Sequence, residues 1–413
     1  MTQEIITVRN SSIVLGEKKI LENITCSISA GEFVGIIGPN GAGKSTLLLA
    51  LRGFVPLASG EVQLAGRPIT TLSDKELARH VAYMQQEVNV GFGYTALEVV
   101  LTGRYPYLKW WQHEQAEDKA IARQYMEFTG VEALADKPVH LMSGGEKQRV
   151  LLAKVLAQET PLIFLDEPTA SLDLVYQEEI FRYCQLISKQ GKTVLIVAHD
   201  LKLAAKFCSR LLLLADGKMI ADGSPEKVIT KENLQAAYGL HAAVFMNKVT
   251  GNLDIHTYAA ADYNPNKDTN VHIICGGGSG ERIIRLLYER GYRLTLGVIQ
   301  PGDADANVAE AFHLPCLLGQ PFSSIDELSA QENRRRINAA DWVVLSDLTF
   351  GEQNIDNLQA AFMAKKLIVI EDTPIEKRDF LNGQASDLYA ELVEMPQVTV
   401  MTFLQFITLL EKN

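Results

Sequence analysis

The sequence predicts an α/β protein of two domains, each built on a mostly parallel sheet. Two observations predict this class. Apolar runs of β-forming residues alternate with helical patterns, an order that places helices over parallel strands. The chain also has 413 residues, whereas a single hydrophobic core stops growing at about 250–300 residues. The composition, 47% apolar and 22% charged, is that of a globular protein.

The first domain is expected to cover residues 1–250. Its clearest strands are Phe33–Ile37, Leu162–Leu165 and Thr193–Val197, which are apolar throughout. Such strands are typical of parallel sheets that are buried on both faces. Between Gly91 and Leu156 the sequence becomes polar and helix-prone with aromatic interruptions, which predicts a helical subdomain.

Composition and charge argue against nucleic acid as a partner and against direct insertion into a membrane. The net charge of −11 gives no basic surface for a phosphate backbone, so no nucleic acid partner is expected. The five cysteines are scattered without a CxxC or Cys/His cluster, which indicates reduced core residues in a cytoplasmic protein. The N-terminus lacks a signal-peptide pattern, and the apolar runs are shorter than the roughly 20 residues that span a bilayer. Membrane association is therefore expected to require a protein partner.

A phosphate-binding loop follows the first buried strand. The segment Gly38–Thr46 fits the pattern G-x-x-x-x-G-K-[ST]. Its glycines let several backbone N–H groups point at one anion, and a helix starting near Lys44 adds its positive end. Lys44 is expected to pair with the β- and γ-phosphates and Ser45 to bind Mg²⁺. The predicted ATP-binding residues of this loop are Gly38, Pro39, Asn40, Gly41, Ala42, Gly43, Lys44, Ser45 and Thr46.

Two acids end the strand that begins at Leu162. Asp166 stands at the strand tip, where it can hold Mg²⁺ through water, and Glu167 follows it. Glu167 can act as a general base on the attacking water, an effect typically worth about 10²–10⁴ in rate. Taken alone, two acids after a strand are more often a solvated loop. Together with the phosphate loop, they predict a nucleotide-hydrolysing site.

The segment Leu141–Arg149 identifies the class of nucleotide hydrolase. It resembles the LSGGQ signature of the ATP-binding cassette (ABC) ATPases, with Met142 and Glu146 as departures. A helix opened by Ser143 can hold a phosphate at its positive end. The resemblance implies an ABC-type P-loop ATPase fold with a helical subdomain. It also implies a head-to-tail dimer, in which Ser143, Gly144, Gly145 and Glu146 of one copy complete the ATP site of the other.

Further family elements occur in order along the first domain. The resemblance assigns Gln86 to the loop that contacts Mg²⁺ and water, and Asp173 to the loop that crosses the dimer interface. It makes His199 the switch histidine on the γ-phosphate. The implied catalytic set is Lys44, Gln86, Glu167 and His199, and the implied metal ligands are Ser45, Gln86 and Asp166. One element departs from the family, because no aromatic residue stands near Val14–Gly16 to stack on adenine.

A weaker resemblance concerns the subfamily. Ala96–Arg104, Ala215–Pro225 and Tyr238–Leu240 look like segments of ATP-binding subunits that import iron siderophores, haem or vitamin B12. The resemblance implies two copies at the cytoplasmic face of the membrane, two permease subunits and an external binding protein. The segment Gly91–Tyr107 is expected to form much of the permease-docking surface, including Arg104. The alternative is a soluble ABC ATPase that acts on ribosomes or chromosomes.

The second domain is expected at 271–413, after a polar connection at 251–270. Val271–Cys275 followed by Gly276–Glu281 and a helical pattern resembles the opening of a smaller Rossmann-like unit. The glycines could admit a ligand phosphate, but a dinucleotide site also needs an acid after the second strand, and none occurs before Asp303. Three roles remain open: a regulatory ligand-binding domain, a structural or dimer-supporting domain, and an enzyme of unrecognised type.

Overall fold

The computed structural model describes residues 4–85, 93–109, 111–169, 172–247, 251–258, 268–320 and 323–411. The chain forms two compact units, Met1–Ile255 and His256–Asn413. A strand at Leu253–Tyr258 lies within the segment 251–270 that the sequence predicts to be a polar connection. Among the described residues, no helix is long and apolar enough to cross a membrane.

The first unit and the hairpin that ends it contain twelve described strands and nine α-helices. The strands are β1 (Glu4–Leu15), β2 (Lys18–Ser29), β3 (Phe33–Ile37), β4 (Ser59–Leu64), β5 (Arg67–Pro68), β6 (Val81–Met84), β7 (Leu162–Asp166), β8 (Thr193–Val197), β9 (Arg210–Ala215), β10 (Lys218–Gly223), β11 (His241–Met246) and β12 (Leu253–Tyr258). The helices are α1 (Lys44–Leu51), α2 (Asp74–His80), α3 (Ala96–Leu101), α4 (Ala116–Phe128), α5 (Gly144–Ala157), α6 (Leu174–Lys189), α7 (Leu201–Phe207), α8 (Pro225–Val228) and α9 (Lys231–Tyr238).

A six-stranded sheet in the order β10-β9-β3-β8-β7-β6 forms the centre of the first unit. Its neighbours are parallel except for β10, which pairs with β9 in the antiparallel direction. The three strands predicted from sequence are β3, β7 and β8, and every residue in them is buried. Because parallel strands end at the same edge, the loops after these three strands meet there.

Apolar cores cover both faces of this sheet. Alternate residues of β3 point to opposite faces, so Val34 and Ile36 pack with α1 and with a second, antiparallel sheet in the order β2-β1-β4-β5. Phe33 and Ile37 belong to the other core, which includes α6, α7 and the helical subdomain. The sequence predicts mostly parallel sheets, so this antiparallel sheet is an unpredicted part of the fold.

The helical subdomain contains α3, α4 and α5, which pack against one another as the sequence predicts. Val100, Ala122, Met126 and Leu152 are fully buried in it. Helices α3 and α5 each begin with a capping box, in which the capping side chain and the third helical residue exchange hydrogen bonds. At the start of α4, Gln115 N donates a hydrogen bond to Asp118 Oδ2 at 3.0 Å. The subdomain is therefore stabilised by its own apolar core and by its helix caps.

The second unit contains seven described strands and six α-helices. The strands are β13 (Asn270–Ile274), β14 (Arg293–Leu296), β15 (Val298–Ile299), β16 (Leu317–Leu318), β17 (Trp342–Leu345), β18 (Leu367–Ile370) and β19 (Val398–Met401). The helices are α10 (Glu281–Glu289), α11 (Ala304–Ala311), α12 (Glu327–Ala339), α13 (Ile355–Ala361), α14 (Gln384–Val393) and α15 (Phe403–Glu411).

The main sheet of this unit is parallel throughout, in the order β14-β13-β17-β18-β19. This is a doubly wound order, in which strands are added first on one side of β13 and then, from β17 onward, on its other side. It confirms the predicted second α/β domain. The apolar run Leu294–Ile299 is divided at Gly297, and its second part, β15, pairs with β16 instead. A buried polar chain links the sheet to two helices, since His272 bonds to Asn333 and Asn333 to Asn357.

Candidate functional site

The phosphate loop Gly38–Thr46 joins β3 to α1, and two of its positions require glycine. Gly38 has φ +148°, and a Cβ there would lie 2.0 Å from the carbonyl oxygen of Leu214. Gly43 has φ +94°, and a Cβ there would lie 2.5 Å from Leu21 Cδ2. Side chains at either position would therefore clash as well as strain the backbone. The sequence prediction of a helix starting near Lys44 is confirmed.

Lys44 is buried at the first position of α1. Its Nζ donates hydrogen bonds to the carbonyl oxygens of Gly38 and Pro39, both at 2.9 Å. Burial lowers the pKa of this ammonium group, while the nearby carboxylates of Glu167 and Asp166 act in the opposite direction. The cation is thus held against the loop, beside the two acids that end β7.

Both carboxylate oxygens of Asp166 are bonded to hydroxyl groups. Ser45 Oγ donates to Asp166 Oδ1 at 2.7 Å. Tyr83 Oη, from the neighbouring strand β6, donates to Asp166 Oδ2 at 3.0 Å. Burial and the adjacent carboxylate raise the pKa of Tyr83 well above its usual value, so the phenol stays protonated and remains a donor. Tyr83 is not among the site residues that the sequence predicts.

Glu167 and His199 approach each other across the ends of β7 and β8. His199 Nε2 lies 2.7 Å from Glu167 Oε1. Glu167 also has a positive φ of 49°, an uncommon conformation for a residue with a side chain and one that often occurs at functional sites. These residues line a cavity of about 470 Å³ together with the phosphate loop; its lining residues are Lys18, Ile20, Asn40, Gly41, Gly43, Lys44, Ser45, Thr46, Glu167 and His199.

The start of β2 supplies two residues that the sequence analysis missed. Lys18 and Ile20 line the cavity together with the phosphate loop. They come just after the segment Val14–Gly16, in which no aromatic residue occurs. Their alternating positions on β2 are the signal that could have identified them, since residues two apart in a strand face the same side.

The signature segment Leu141–Arg149 opens α5 as predicted, with Ser143 as the capping residue. Glu146 N donates to Ser143 Oγ, and Ser143 N donates to Glu146 Oε2 at 2.8 Å. That backbone bond, together with the Lys137 ammonium 3.0 Å away, lowers the pKa of Glu146. The glutamate that departs from the family pattern therefore completes the helix cap.

The signature residues and Asp173 stand apart from the cavity within one chain. Gly145 packs against Tyr176, where an added Cβ would lie 2.9 Å from the ring. Asp173 caps α6 by accepting a hydrogen bond from Tyr176 N at 3.1 Å. Among the described residues, the lining of the phosphate cavity includes neither Ser143–Glu146 nor Asp173. Gln86, the remaining predicted site residue, lies outside the described residues.

The expectation that Arg104 contributes to a docking surface is wrong. Its side chain is 9% exposed and forms ion pairs with Asp118 at 3.0 Å and Glu159 at 2.8 Å. It also donates to the carbonyl oxygen of Ala157 at 2.9 Å. Arg104 is therefore a structural residue inside the helical subdomain, and the neighbouring Tyr105, which is 55% exposed, is accessible instead.

The glycine segment of the second unit is bonded to the protein's own carboxylates. Gly277 N donates to Asp303 Oδ2 at 2.6 Å, and Gly280 N donates to both oxygens of Asp305 at 3.0 and 3.1 Å. Burial raises the pKa of Asp305 to about 6. Two of the backbone donors that could have received a ligand phosphate, the N–H groups of Gly277 and Gly280, are thus already paired. Asp303, the acid that comes late for a dinucleotide site, bonds to the glycine segment itself.

Comparisons with known proteins agree with this geometry. The ABC transporter family model matches residues 21–170, and the MJ0874 family model matches residues 294–407. The cobalamin import ATP-binding protein of Halobacterium salinarum is 36% identical over 340 residues, which cover 81% of this chain and 83% of that protein. That alignment is longer than the first unit, so it extends into the second.

Other relatives align with stretches no longer than the first unit. The hemin import ATP-binding protein of Streptomyces coelicolor is 42% identical over 58% of this chain and 85% of its own length. The ferric enterobactin transport ATP-binding protein of Escherichia coli is 37% identical over 61% of this chain and 94% of its own. Among solved structures, the ATP-binding cassette MJ1267 of an ABC transporter is 27% identical with a TM-score of 0.52, and covers 58% of this chain and 98% of that one.

The match to the ABC transporter model runs through the phosphate loop, the signature segment and β7, so the first unit is an ABC ATPase domain. More specifically, the chain belongs to the metal-chelate (type II) importer family of ABC ATP-binding subunits, because a member of that family aligns with most of its length. It binds ATP and hydrolyses it to power import.

Proposed function

We propose that two copies of the chain hydrolyse ATP at two composite sites and so drive permease subunits at the cytoplasmic face of a membrane. One observation carries the proposal. The cavity that holds Lys44, Glu167 and His199 does not include the signature residues of the same chain among its described lining. A second helix N-terminus, capped by Ser143, therefore lies outside this cavity and can complete the site of another copy.

The phosphate loop binds the triphosphate in this account. Backbone N–H groups of the loop and the positive end of α1 attract the phosphate oxygens. The Lys44 ammonium, now bonded to Gly38 and Pro39 carbonyls, turns to the β- and γ-phosphates when they are present. Lys18 and Ile20 offer aliphatic surface to the base, in place of the missing aromatic residue.

Residues at the start of α1 and at the end of β7 fit a bound Mg²⁺. Ser45 Oγ and Asp166 Oδ1 are hard oxygen donors 2.7 Å apart beside the phosphate loop, and oxygen is the donor that Mg²⁺ prefers. We assign Ser45, Asp166 and Gln86 to this ion. When bound, Mg²⁺ neutralises charge on the β- and γ-phosphates.

Glu167 is the proposed general base. Its carboxylate accepts a proton from the attacking water, an effect typically worth about 10²–10⁴ in rate. His199 Nε2, 2.7 Å from Glu167 Oε1, orients that carboxylate and contacts the γ-phosphate. Ser143, Gly144, Gly145 and Glu146 of the partner copy bind the opposite side of the γ-phosphate, and Asp173 crosses the interface beside them.

For the cargo we propose a metal chelate, delivered to the permease by an external binding protein. The named relatives act in cobalamin, hemin and ferric enterobactin import, and these three compounds share a chelated metal. The exposed residues Tyr94 and Tyr105 lie in the described part of the predicted docking segment, 93–107. We propose them, and not Arg104, as permease contacts.

We propose that the second domain begins at residue 271 and has a regulatory or dimer-supporting role. Its paired glycine segment argues against a dinucleotide bound there through phosphate. A thermal-shift screen of the full chain against corrinoids, haem and nucleotides tests the regulatory role. If none of these compounds shifts the unfolding temperature of the second unit, the regulatory role is contradicted.

Glu167→Gln tests the proposed ATPase mechanism. The amide cannot accept the proton, so turnover should fall by about 10²–10⁴ while ATP binding persists. Light scattering should then report a dimer with ATP and Mg²⁺ and a monomer without them. Glu132→Gln, which changes an acid of the exposed Arg123 pair, is the matched control. A Glu167→Gln protein with wild-type turnover would contradict the assignment of the base.

A further inference from the structure

Strand pairing brings Tyr83 to the metal-binding end of β7. Tyr83 on β6 lies opposite Phe164 on β7 in the parallel register. Alternate residues of a strand face the same side, so Phe164, Asp166 and Tyr83 share one face. The Tyr83 ring packs with the core on that face, and its hydroxyl reaches Asp166 Oδ2 at 3.0 Å.

Arg52 and Phe54 contact the ring of Tyr83. The Arg52 guanidinium, at the C-terminal end of α1, lies 5.1 Å from the centre of this ring and 4.2 Å from that of Phe54. The rings of Phe54 and Tyr83 meet edge to face, with centroids 6.5 Å apart. Aromatic and cation–π contacts of this kind favour one ring orientation. The hydroxyl is therefore directed at Asp166 by the packing around it.

The two oxygens of Asp166 have different neighbours as a result. Oδ2 accepts the bond from Tyr83, whereas Oδ1 lies 2.7 Å from Ser45 Oγ. A single hydrogen bond from Ser45 would leave the carboxylate free to rotate about its terminal torsion, which has a broad energy profile. The second bond, on the opposite oxygen, restricts that rotation. Oδ1 is thereby kept on the side of the phosphate loop.

We propose that Tyr83 is a positioning residue for the metal site, whose hydroxyl holds Asp166 so that Oδ1 faces the Mg²⁺ coordinated by Ser45. The inference rests on the proposed assignment of Asp166 and Ser45 to the ion. It extends the site to β6, the strand that leads to Gln86 three residues later. Tyr83 itself does not touch nucleotide or metal in this account.

Tyr83→Phe removes the hydroxyl and keeps the ring that packs against Arg52 and Phe54. The matched control is Tyr389→Phe in the second unit, which also removes a tyrosine hydroxyl that donates to a carboxylate, that of Glu371. The full-length variants are titrated with Mn²⁺ in the presence of ADP, and free Mn²⁺ is measured by EPR. ATPase activity at saturating ATP is then recorded as a function of free Mg²⁺.

Loss of one hydrogen bond to a charged group should weaken Mn²⁺ binding by about ten-fold or more in Tyr83→Phe. The free Mg²⁺ that gives half-maximal ATPase activity should rise by a similar factor, and Tyr389→Phe should match the wild type in both. Mn²⁺ and Mg²⁺ curves of Tyr83→Phe that superimpose on the wild type would overturn the inference, even with a lowered melting temperature. A wild-type chain without Mg²⁺-dependent hydrolysis would instead contradict the proposed function. The EPR titration measures Mn²⁺ binding without hydrolysis, so it would still test the role of Tyr83.

Discussion

Arg104→Ala should destabilise the first unit far more than a typical surface substitution. The Arg104 side chain is 9% exposed, and its guanidinium bonds to Asp118, Glu159 and the carbonyl oxygen of Ala157 at 2.8–3.0 Å. Removing it leaves the Asp118 carboxylate, itself 10% exposed, without its cation. Breaking a buried ion pair from one side typically costs about 3–5 kcal/mol.

The assay is calorimetric unfolding of the full chain, in which the transition of the first unit is followed. A loss of about 3–5 kcal/mol corresponds to a fall of about 6–20 °C in the melting temperature of a domain of this size. Arg123→Ala is the control, because Arg123 is 48% exposed and pairs with the exposed Glu132. Such a pair contributes about 0–1 kcal/mol. If Arg104→Ala unfolds at the same temperature as Arg123→Ala, the structural role assigned to Arg104 is wrong.

Two further predictions concern the phosphate loop and the core of the second unit. Gly43→Ala should lower both stability and ATP affinity, because its Cβ would lie 2.5 Å from Leu21 in a left-handed backbone conformation. Gly41→Ala is the control, since its Cβ would meet no atom within 4 Å, and it should lower the free energy of unfolding by less in a denaturant titration. Burial lowers the pKa of His272 from 6.5 to about 4. The contribution of the neutral imidazole to the free energy of unfolding is therefore fully present above pH 6.5 and is lost as the pH falls towards 4. Relative to His272→Gln, the wild type should lose about 3 kcal/mol of stability between pH 6.5 and pH 4. If the free energies of unfolding of the two proteins change in parallel with pH, this prediction is wrong.

Local sequence patterns predicted the parts of the site that a single segment defines. Three features depend only on the end of a strand or helix and its neighbours in sequence: the phosphate loop, the acids at the end of β7 and the Ser143 cap. In the structure each of them lies at the strand or helix end where the sequence predicts it. The position of β3, β7 and β8 in one parallel sheet followed from their apolar character.

Features that depend on distant pairing were missed. The bond between Tyr83 and Asp166 requires the register of β6 on β7, which residue patterns do not specify. Arg104 was interpreted as a surface charge because its partner Glu159 stands 55 positions away. The glycine segment of the second unit looked available to a phosphate because Asp303 and Asp305 follow it by more than twenty residues.

The central claim, a site shared between two copies, is tested most directly by cross-linking across it. Asn40→Cys, in the cavity lining, and Ser143→Cys are introduced into separate chains that also carry Glu167→Gln and Cys316→Ser; the other four cysteines are buried. Mixed with ATP and Mg²⁺ under mild oxidation, the two chains should form a disulfide-linked heterodimer, and should not without nucleotide. A mixture that stays uncross-linked with ATP bound would contradict the shared site.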